Sequence, residues 1–470
     1  MNFKQLNNNF FKLENKLDLF NKQIDGVYFW ELVRFSINRE ILIKKGLITI
    51  PHKGVDNKII YILKNILNLS YKIIFKNPYF SEKESIFIIG HPRRPLIDGY
   101  YTDIYTKYLK KGLSKNNIDY QDFENFTQEY IKSKDIESKN ILQLDYFSIF
   151  SLLFKNRFKF NKKDEKYVKD LELKINNEFG VNIDIYNKVK NEIASFNIFY
   201  KHIYKFLKRK RPKIIFEVVS YGLIVRALNK ASKELNIPTI ELQHGVIDKY
   251  HLGYSMGDQK NIKLNYFPDY IFTWGDYWNS VCNYPENTKL ISTGFPYFEL
   301  NKSKYNINKQ QEKNIIVISQ GAIGEDLSKQ VYEVAKELKD YTFYYKLHPG
   351  EFHKIDNEFS FLKELENIKI ITGAKTVYDL FEICSIQIGA FSTAIYEGLG
   401  FGLKTIVFDL PGVEYLDDLV EKDIVKKIDN PSDCIDIIKN KYFGKSNDFE
   451  SESFFKSKAI DNMLENIKKI

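Results

Sequence analysis

The chain has 470 residues and a formal net charge of +9, and 44% of its residues are hydrophobic. Hydrophobic content this high can build real cores, which excludes an intrinsically disordered chain, and the length predicts two or three domains. The positive charge fits either a lysine-rich solvated surface or attraction to an anionic membrane, nucleotide or acidic glycan, and no nucleic-acid-binding module accompanies it.

Residues 1–80 are predicted to be helical. Apolar residues between Tyr28 and Phe35 recur at helical spacing. Residues 59–76 are apolar with interspersed lysines, and such a basic amphipathic helix can lie on an anionic bilayer. The alternative is a helix packed on the next domain. The N-terminus has no apolar signal-peptide core, and no run of about 18 uncharged apolar residues predicts a membrane span.

A buried strand pattern at residues 85–90 predicts the start of an α/β domain. The loop after it carries Arg93 and Arg94, which can clamp the carboxylate of an acidic acceptor or donor. Asp98 and Asp103 are candidate general bases in the same region. The alternative for both carboxylates is that they are solvated loop residues.

A compact βαβ unit is predicted for residues 213–245, after a long tyrosine- and lysine-rich stretch with helical periodicity but no assignable elements. Its crossover should be right-handed, so its second strand delivers Gln243, His244 and Gly245 to the carboxyl edge of the sheet. His244 is a candidate catalytic group that takes the proton of an acceptor, positions it or contacts the donor sugar, and Gln243 is a candidate acceptor ligand. The alternative for His244 is a structural role.

From residue 269 onward strands and helices alternate regularly, which predicts a doubly wound parallel domain. Two more strands precede a polar linker at residues 301–313, and five strands follow it. We therefore expect an α/β protein with a helical N-terminal region and two Rossmann-like domains facing each other across a cleft, with boundaries at residues 1–80, 81–305 and 306–470. The last predicted helix, residues 453–470, can pack back across the boundary.

Polar residues follow two predicted strands of the second domain. Alternation places Lys346 and His348 on one side of a strand end, where a histidine can donate a hydrogen bond to a phosphate. Ser392 and Thr393 begin the helix after the other strand, where hydroxyls and free N–H groups form an anion site. We predict that these residues hold the donor phosphate and neutralise it as it leaves, with His348 as a catalytic group. The alternatives are a histidine bonded to a loop carbonyl and a serine that only caps its helix.

Two further features complete the predicted nucleotide site. Glu397 lies one helical turn after Thr393 and can accept hydrogen bonds from ribose hydroxyls. Gln320 and Gly321 follow the first strand of the domain, in a loop whose glycine lets the backbone approach a diphosphate or a base, although glycine turns are common. The three cysteines have no metal-ligand spacing, so we expect a reducing compartment, no disulfide, no metal and no cofactor.

Three segments of the first predicted domain resemble a known group of enzymes. Residues 237–247 read Ile-Pro-Thr-Ile-Glu-Leu-Gln-His-Gly-Val-Ile, residues 218–222 read Val-Val-Ser-Tyr-Gly, and residues 251–254 read His-Leu-Gly-Tyr. Together they resemble segments of bacterial surface-polysaccharide glycosyltransferases of the GT-B type. The resemblance implies two Rossmann-like domains and a nucleotide-activated donor.

Downstream, Lys-Leu-His-Pro-Gly-Glu at residues 346–351 and Phe-Ser-Thr-Ala-Ile-Tyr-Glu at residues 391–397 resemble the His-Pro and Ser/Thr motifs of GT-B sialyltransferases, Kdo transferases and CDP-glycerol polymerases. In those families the histidine and the Ser/Thr pair contact the phosphate of a CMP- or CDP-linked donor. By position this implicates His348, Ser392 and Thr393. The Asp or Glu base of the sialyltransferases has no recognisable counterpart in this sequence.

These features predict a metal-independent glycosyltransferase that moves a sugar from a nucleotide-activated, CMP-linked donor to a capsule- or lipopolysaccharide-like glycan or a lipid-linked glycan. We expect a cytoplasmic protein, peripheral at the inner face of the cytoplasmic membrane, with an anionic membrane surface as a further partner. Two alternatives stay open. One is a UDP-sugar-dependent transferase or a nucleotide-sugar 2-epimerase of the same fold, and the other is a non-catalytic glycan-binding or scaffold member of a polysaccharide synthesis complex.

Overall fold

Strands and helices alternate along most of the chain in the computed structural model, which describes residues 1–48, 74–91, 94–97, 99–124, 141–321, 323–373, 375–444 and 451–470. The strands are β1 Ile86–Ile89, β2 Leu96–Ile97, β3 Tyr100–Tyr101, β4 Tyr120–Glu124, β5 Leu142–Gln143, β6 Ile215–Glu217, β7 Thr239–Leu242, β8 Tyr270–Thr273, β9 Lys289–Ser292, β10 Gln311–Ile318, β11 Thr342–Lys346, β12 Ile368–Ile371, β13 Cys384–Gly389, β14 Lys404–Phe408 and β15 Lys426–Ile428. The α-helices span Phe3–Lys16, Phe29–Lys44, Lys107–Lys115, Ser148–Phe154, Lys162–Phe179, Ile185–Lys210, Leu223–Glu234, Pro296–Lys302, Gly324–Glu337, Val377–Phe381, Thr393–Gly400, Asp417–Glu421, Pro431–Asn440, Ser451–Phe454 and Ala459–Lys469.

A first sheet has the strand order β5-β4-β1-β6-β7-β8-β9, and all of its neighbouring strands are parallel. Its central strands are buried along their whole length, as expected where helices cover both faces of a parallel sheet. The order reverses between β1 and β6. Such a reversal opens a crevice at the carboxyl ends of the strands, where ligands of open α/β sheets bind.

A second parallel sheet has the order β12-β11-β10-β13-β14-β15, with the same reversal between β10 and β13. The five strands predicted for this part of the chain are all present. The sixth, β15, was not expected, because its Lys-Lys-Ile sequence carries no buried-strand pattern. The prediction of an α/β protein built on doubly wound parallel sheets is confirmed.

The helices Phe3–Lys16 and Phe29–Lys44 pack on each other, and Phe29–Lys44 also packs on the helix Ile185–Lys210. The guanidinium of Arg34 donates to both carboxylate oxygens of Glu14 at 2.8 and 2.9 Å, and to the carbonyls of Leu252 and Ser255 at 2.7 and 3.0 Å. Both charged side chains are buried, and losing one partner of such a pair costs about 3–5 kcal/mol. The N-terminal helices are therefore fixed to the loop after β7. Residues 59–73, most of the predicted amphipathic stretch, lie outside the described residues.

The chain crosses between the two sheets twice, before β10 and again after residue 440. The final segment returns to the first sheet: the indole of Trp278 donates to the carbonyl of Phe454 at 2.8 Å, and the helix Ala459–Lys469 packs on the helix Lys107–Lys115. Gly294, at φ +102°, lies so close to this helix that a Cβ would meet the Cβ of Ala459 at 2.6 Å. The last helix therefore packs with the first sheet, as expected for a helix that returns across the boundary. The proposed domain boundaries stay predictions.

Candidate functional site

A cavity of about 410 Å³ lies between the carboxyl edges of the two sheets, and we call it the inter-sheet cavity. Three parts of the chain form its walls: the two N-terminal helices, the loop after β7, and the strand ends of the second sheet. The lining residues are Phe3, Phe35, Asn38, Arg39, Leu42, Ile48, Val246, Asp248, Tyr250, His251, Leu252, Gln320, Phe391, Ser392, Thr393, Tyr415 and Leu416.

The polar part of the wall from the second sheet lies at the reversal between β10 and β13. Gln320 follows β10, and Ser392 follows β13 as the N-cap of the helix Thr393–Gly400, where its hydroxyl accepts from the N–H of Ala394 at 3.2 Å. Ser392 and Thr393 are half-exposed, so their hydroxyls can reach a ligand. Backbone N–H groups and the helix dipole at such an end favour an anion.

Asp248 faces the cavity from the loop after β7. Its Oδ1 accepts from the backbone N–H of Tyr250 at 2.6 Å, which fixes the orientation of the carboxyl group. Burial is the main reason that its pKa rises from 3.8 to about 7. A carboxyl group that exchanges its proton near neutral pH can act as a general base. No pattern in the sequence marks Asp248, because the signal is the burial of a single carboxyl group.

His251 lies beside Asp248 and is held as a neutral hydrogen-bond donor. The N–H of Gly253 donates to its Nδ1 at 3.2 Å, so the proton of the neutral ring sits on Nε2. Burial, reinforced by the neighbouring His244, lowers its pKa to about 4. The ring therefore offers an N–H near neutral pH and does not compete with Asp248 for a proton.

Arg39 supplies positive charge to the third wall. It projects from the helix Phe29–Lys44, is exposed, and forms no ion pair with any of the described residues. Since His251 is neutral, Arg39 is the only cation among the described residues that line the cavity. Its charge suits the phosphate groups that a helix N-terminus also favours.

His244 lies one side chain behind the cavity, in a hydrogen-bonded network. The hydroxyl of Tyr254 donates to Oε1 of Glu241, and the same oxygen of Tyr254 lies 3.3 Å from Nδ1 of His244. Because the hydroxyl of Tyr254 donates its hydrogen to Glu241, its oxygen can only accept from His244. The proton of the His244 ring therefore lies on Nδ1. Its Nε2 then accepts from Tyr221, at 3.3 Å. The predicted catalytic role of His244 stays a prediction, and both ring nitrogens already have protein partners.

Two buried carboxyl groups lie beneath this network. Glu217 on β6 and Glu241 on β7 are paired in register, and both are fully buried. Burial and the charge of Glu241 raise the pKa of Glu217 well above its ordinary value, so Glu217 is the partner that keeps its proton. Asn229 donates to Glu217 at 3.0 Å.

Lys346 and His348 do not line the inter-sheet cavity. The ammonium group of Lys346 donates to the carbonyl of Thr372, at the end of the neighbouring strand β12. His348 is exposed and caps a short 3-10 helix, with the N–H of Gly350 donating to its Nδ1 at 3.1 Å. Since β10 separates β11 from β13, the ends of those two strands lie about 10 Å apart.

Glu351 joins the loop of His348 to the loop after β10. Its carboxylate accepts from the backbone N–H of His348 at 2.8 Å and from the hydroxyl of Ser319 at 3.0 Å. A Cβ on Gly324 would collide with this carboxylate, whereas a Cβ on Gly321 would meet nothing within 4 Å. The position in this loop that requires a glycine is therefore Gly324, where the Glu351 carboxylate leaves no room for a side chain. Gly321 is exposed and has no such neighbour. The sequence analysis singled out the loop and the motif that contain Gly324 and Glu351, but it gave neither residue a role of its own.

Glu397 is buried on the helix Thr393–Gly400 and does not line the cavity. Burial raises its pKa to about 7, and the nearby hydroxyl group of Tyr378 partly offsets this shift. Its predicted contact with a ribose stays a prediction.

Arg94, Gln243 and Asp103, the described residues among the predicted acceptor ligands and bases, do not line the inter-sheet cavity. Arg94 forms an ion pair with Glu124, and Gln243 donates to the carbonyl of Gly245 at 2.9 Å while accepting from the N–H of Trp274 at 2.9 Å. Asp103 accepts from the N–H of His91 and the hydroxyl of Thr106 at 2.9 and 2.7 Å. Arg93 and Asp98 lie outside the described residues.

Neither a metal-binding cluster nor a membrane-spanning helix is present among the described residues. They contain no group of three or more histidine, cysteine, aspartate or glutamate side chains arranged to hold a metal ion. None of their helices is both long enough and apolar enough to cross a membrane.

Comparison with solved structures identifies the architecture. A UDP-GlcNAc 2-epimerase from Methanocaldococcus jannaschii superposes with a TM-score of 0.50 and 12% identity over 82% of this chain and 99% of that one. The corresponding enzyme from Neisseria meningitidis, bound to UDP-GlcNAc, superposes with a TM-score of 0.50 and 14% identity over 82% of this chain and 100% of that one. MurG from Acinetobacter baumannii superposes with a TM-score of 0.50 and 9% identity over 83% of this chain and 100% of that one. The chain has the GT-B fold. At these identities the likeness shows the fold alone.

Sequence comparison adds one relative. An uncharacterized protein of Methanocaldococcus jannaschii is 27% identical over 351 residues, which are 72% of this chain and 58% of that protein. This chain therefore spans less than two thirds of its relative. No protein-family model matches the sequence.

Proposed function

We propose that the protein is a glycosyltransferase that moves a sugar from a nucleotide-activated donor to a glycan acceptor. The observation that carries this proposal is the inter-sheet cavity, which has phosphate-compatible groups on one wall and a carboxyl group of near-neutral pKa on another. Ligands of open α/β sheets bind at such carboxyl edges. The GT-B fold places the protein among architectures that host nucleotide-sugar chemistry, without choosing the reaction.

The donor phosphate would lie against Ser392, Thr393 and the N–H groups that follow them. Arg39 would offset its charge from the facing wall, a role that the sequence had suggested for Lys346 and His348. We propose a CMP-linked donor on the strength of the His-Pro and Ser/Thr motifs. The main competitor is a UDP-sugar such as UDP-GlcNAc, which the Neisseria meningitidis epimerase binds.

Asp248 would act as the general base. Its carboxylate takes the proton of an acceptor hydroxyl, the hydroxyl oxygen forms a bond to the anomeric carbon, and the bond from that carbon to the donor phosphate breaks. The nucleotide leaves with the bonding electrons. His251 donates its Nε2–H to a sugar or acceptor oxygen, and Arg39 offsets the charge on the departing phosphate.

We propose a capsule- or lipopolysaccharide-like glycan, or its lipid-linked precursor, as the acceptor. Phe3, Phe35 and Leu42 give the cavity an apolar wall from the N-terminal helices. An enzyme that rearranges only a nucleotide sugar has no need of such an added wall. This acceptor class places the reaction at the inner face of the cytoplasmic membrane, where activated sugars are available.

A nucleotide-sugar 2-epimerase is the second candidate, because Asp248 beside a neutral histidine can equally remove a proton from a sugar carbon. Incubating each donor without an acceptor separates the two reactions. An epimerase converts the sugar of the donor with no acceptor present. A transferase leaves the sugar configuration unchanged and needs the acceptor for rapid nucleotide release.

Nucleotide binding is the first test. Thermal unfolding is followed with CMP, CDP, UDP and GDP, because a ligand at about 100 times its Kd stabilises a fold by about 2.7 kcal/mol. We expect a clear shift with cytidine nucleotides. A shift with UDP alone would replace the proposed donor. The absence of any shift would reject the enzymatic proposal and support a glycan-binding or scaffold protein.

A further inference from the structure

The helix Ser148–Phe154 exposes its apolar side chains on the outside of the first sheet's helical layer. Leu152, Leu153 and Phe154 are 62%, 64% and 38% exposed. The opposite side of this helix is anchored: the hydroxyl of Ser151 donates to that of Ser195 at 2.9 Å, and Phe150 stacks on His202 with ring centroids 3.8 Å apart. Consecutive exposed apolar residues on a well-anchored helix mark an interaction surface.

The chain around these side chains is uniformly basic. Residues 146–163 contain Lys155, Arg157, Lys159, Lys162 and Lys163 and no acidic residue. Residues 198–213, at the end of the helix onto which this segment packs, contain seven lysines and arginines and no acidic residue. Two of them, Lys201 and Lys205, contribute to lowering the pKa of His202, the residue whose ring stacks on Phe150.

These charges have no ion-pair partner among the described residues, although Lys155 acts electrostatically on the nearby Glu192. Lys155, Arg157, Lys159, Lys201, Lys205, Lys208 and Arg209 form no ion pair with any described residue. All of them except the half-buried Lys155 are exposed. The exposed leucines therefore lie on a helix that packs against the helix carrying the second group of these cations. This combination is distinct from the inter-sheet cavity, since none of these residues lines it.

We propose that this basic apolar surface, formed by residues 148–159 and the exposed cations of residues 201–209, docks the protein on an anionic lipid bilayer. The leucine and phenylalanine side chains enter the boundary between headgroups and acyl chains, and the cations contact anionic headgroups. A nucleic acid fits less well, because bases stack on aromatic rings and gain little from exposed leucines. The surface differs from residues 59–76, the stretch whose sequence pattern first suggested a membrane contact.

Vesicle flotation of the full-length protein tests the proposal. The vesicles are phosphatidylcholine alone or phosphatidylcholine mixed with phosphatidylglycerol, at low and high salt. We expect binding to the mixed vesicles, weakened by salt, and little binding to phosphatidylcholine. The double variant Leu152→Ser, Leu153→Ser should bind the mixed vesicles about tenfold or more weakly, because two leucines no longer leave water.

Matched variants make the result specific. Leu173→Ser changes another leucine, 61% exposed on the helix Lys162–Phe179, and should bind like the unchanged protein. The triple variant Lys155→Ala, Arg157→Ala, Lys159→Ala should lose the preference for anionic vesicles. Unchanged thermal unfolding confirms that each variant folds.

Two results would overturn the proposal. One is equal vesicle binding by the unchanged protein and the leucine double variant. The other is a failure to bind vesicles together with binding of a single-stranded RNA that the triple variant loses.

Discussion

The two strand edges that meet at the inter-sheet cavity use their polar groups differently. At the edge of the first sheet, Glu241, Tyr254, His244 and Tyr221 form hydrogen bonds with one another, and little of this network is exposed. At the edge of the second sheet, Gln320, Ser392 and Thr393 are half-exposed and face the cavity. One edge is therefore organised by the protein itself, and the other presents groups that a ligand can use.

This difference suits a division of labour between chemistry and binding. Groups that act on a developing charge are most effective when the protein already holds them in place. The first sheet meets this requirement, since the main chain fixes both Asp248 and His251. Under the proposed function a nucleotide enters and leaves in every cycle and needs accessible partners, which the second sheet would supply.

The largest expected effect comes from replacing the proposed base. Asp248→Asn should lower the transfer rate about 10²- to 10⁴-fold, because general-base catalysis contributes that much. Nucleotide binding, measured by thermal shift, should be retained. In the unchanged protein the rate should rise with pH up to about 7, the pKa of Asp248, and then level off. The variant should lack this rise, and a variant with normal activity would exclude Asp248 as the base.

Asp248 also predicts a dependence of stability on pH. Its pKa is higher in the folded state than its ordinary value of 3.8, so the folded protein holds the proton more tightly. This contribution to stability is fully present below pH 3.8 and is lost as the pH rises through about 7. Asp248→Asn should remove that part of the slope in unfolding measured by denaturant, and an unchanged slope would contradict the raised pKa.

The next effect concerns Arg39. Arg39→Ala should weaken nucleotide binding about 10- to 100-fold, since a hydrogen bond to a charged group contributes about 1.5–3 kcal/mol. Lys44→Ala removes an exposed cation from the same helix outside the cavity and is the control. Isothermal titration with the nucleotide found by the thermal-shift screen measures both. Equal weakening by the two variants would mean that only the net charge matters.

Hydrophobic patterns predicted the fold well because buried parallel strands are short apolar runs bounded by glycine or polar residues. The runs that became β1, β6, β7, β10 and β13 illustrate this. The pattern failed where strands are polar or very short. Tyr120–Glu124 reads Tyr-Gln-Asp-Phe-Glu, and Lys426–Ile428 offers one apolar residue. Their pairing in the sheet, rather than their own composition, makes them strands.

The site was only partly predictable for a related reason. Ser392, Thr393 and Gln320 lie in the loops or helix start just after strands, so their place at the sheet edge could be inferred. Arg39 and Asp248 reach the cavity through packing between parts of the chain far apart in sequence, which no local pattern records. Lys346 shows the opposite case: alternation put it at the edge, but its ammonium group bonds to the carbonyl of Thr372.

A smaller effect should follow from breaking the network of the first edge. Tyr254→Phe removes the hydroxyl between Glu241 and His244, and leaving buried polar groups unpaired should cost about 1–3 kcal/mol of unfolding free energy. Nucleotide binding should stay unchanged. Tyr442→Phe, at an exposed tyrosine, should leave stability unaltered. Weaker nucleotide binding by the Tyr254 variant would show that the two edges do not act separately.

The smallest effect on stability separates capping from binding at the second edge. Ser392→Ala and Thr376→Ala each remove an N-cap hydroxyl that accepts a backbone hydrogen bond at 3.2 Å, so each should lower the unfolding free energy by about 1 kcal/mol. Only Ser392 lines the cavity, so only Ser392→Ala should also weaken nucleotide binding. If both variants lost the same stability and neither lost affinity, Ser392 would be a helix cap alone, and the donor phosphate would have to lie elsewhere on this edge.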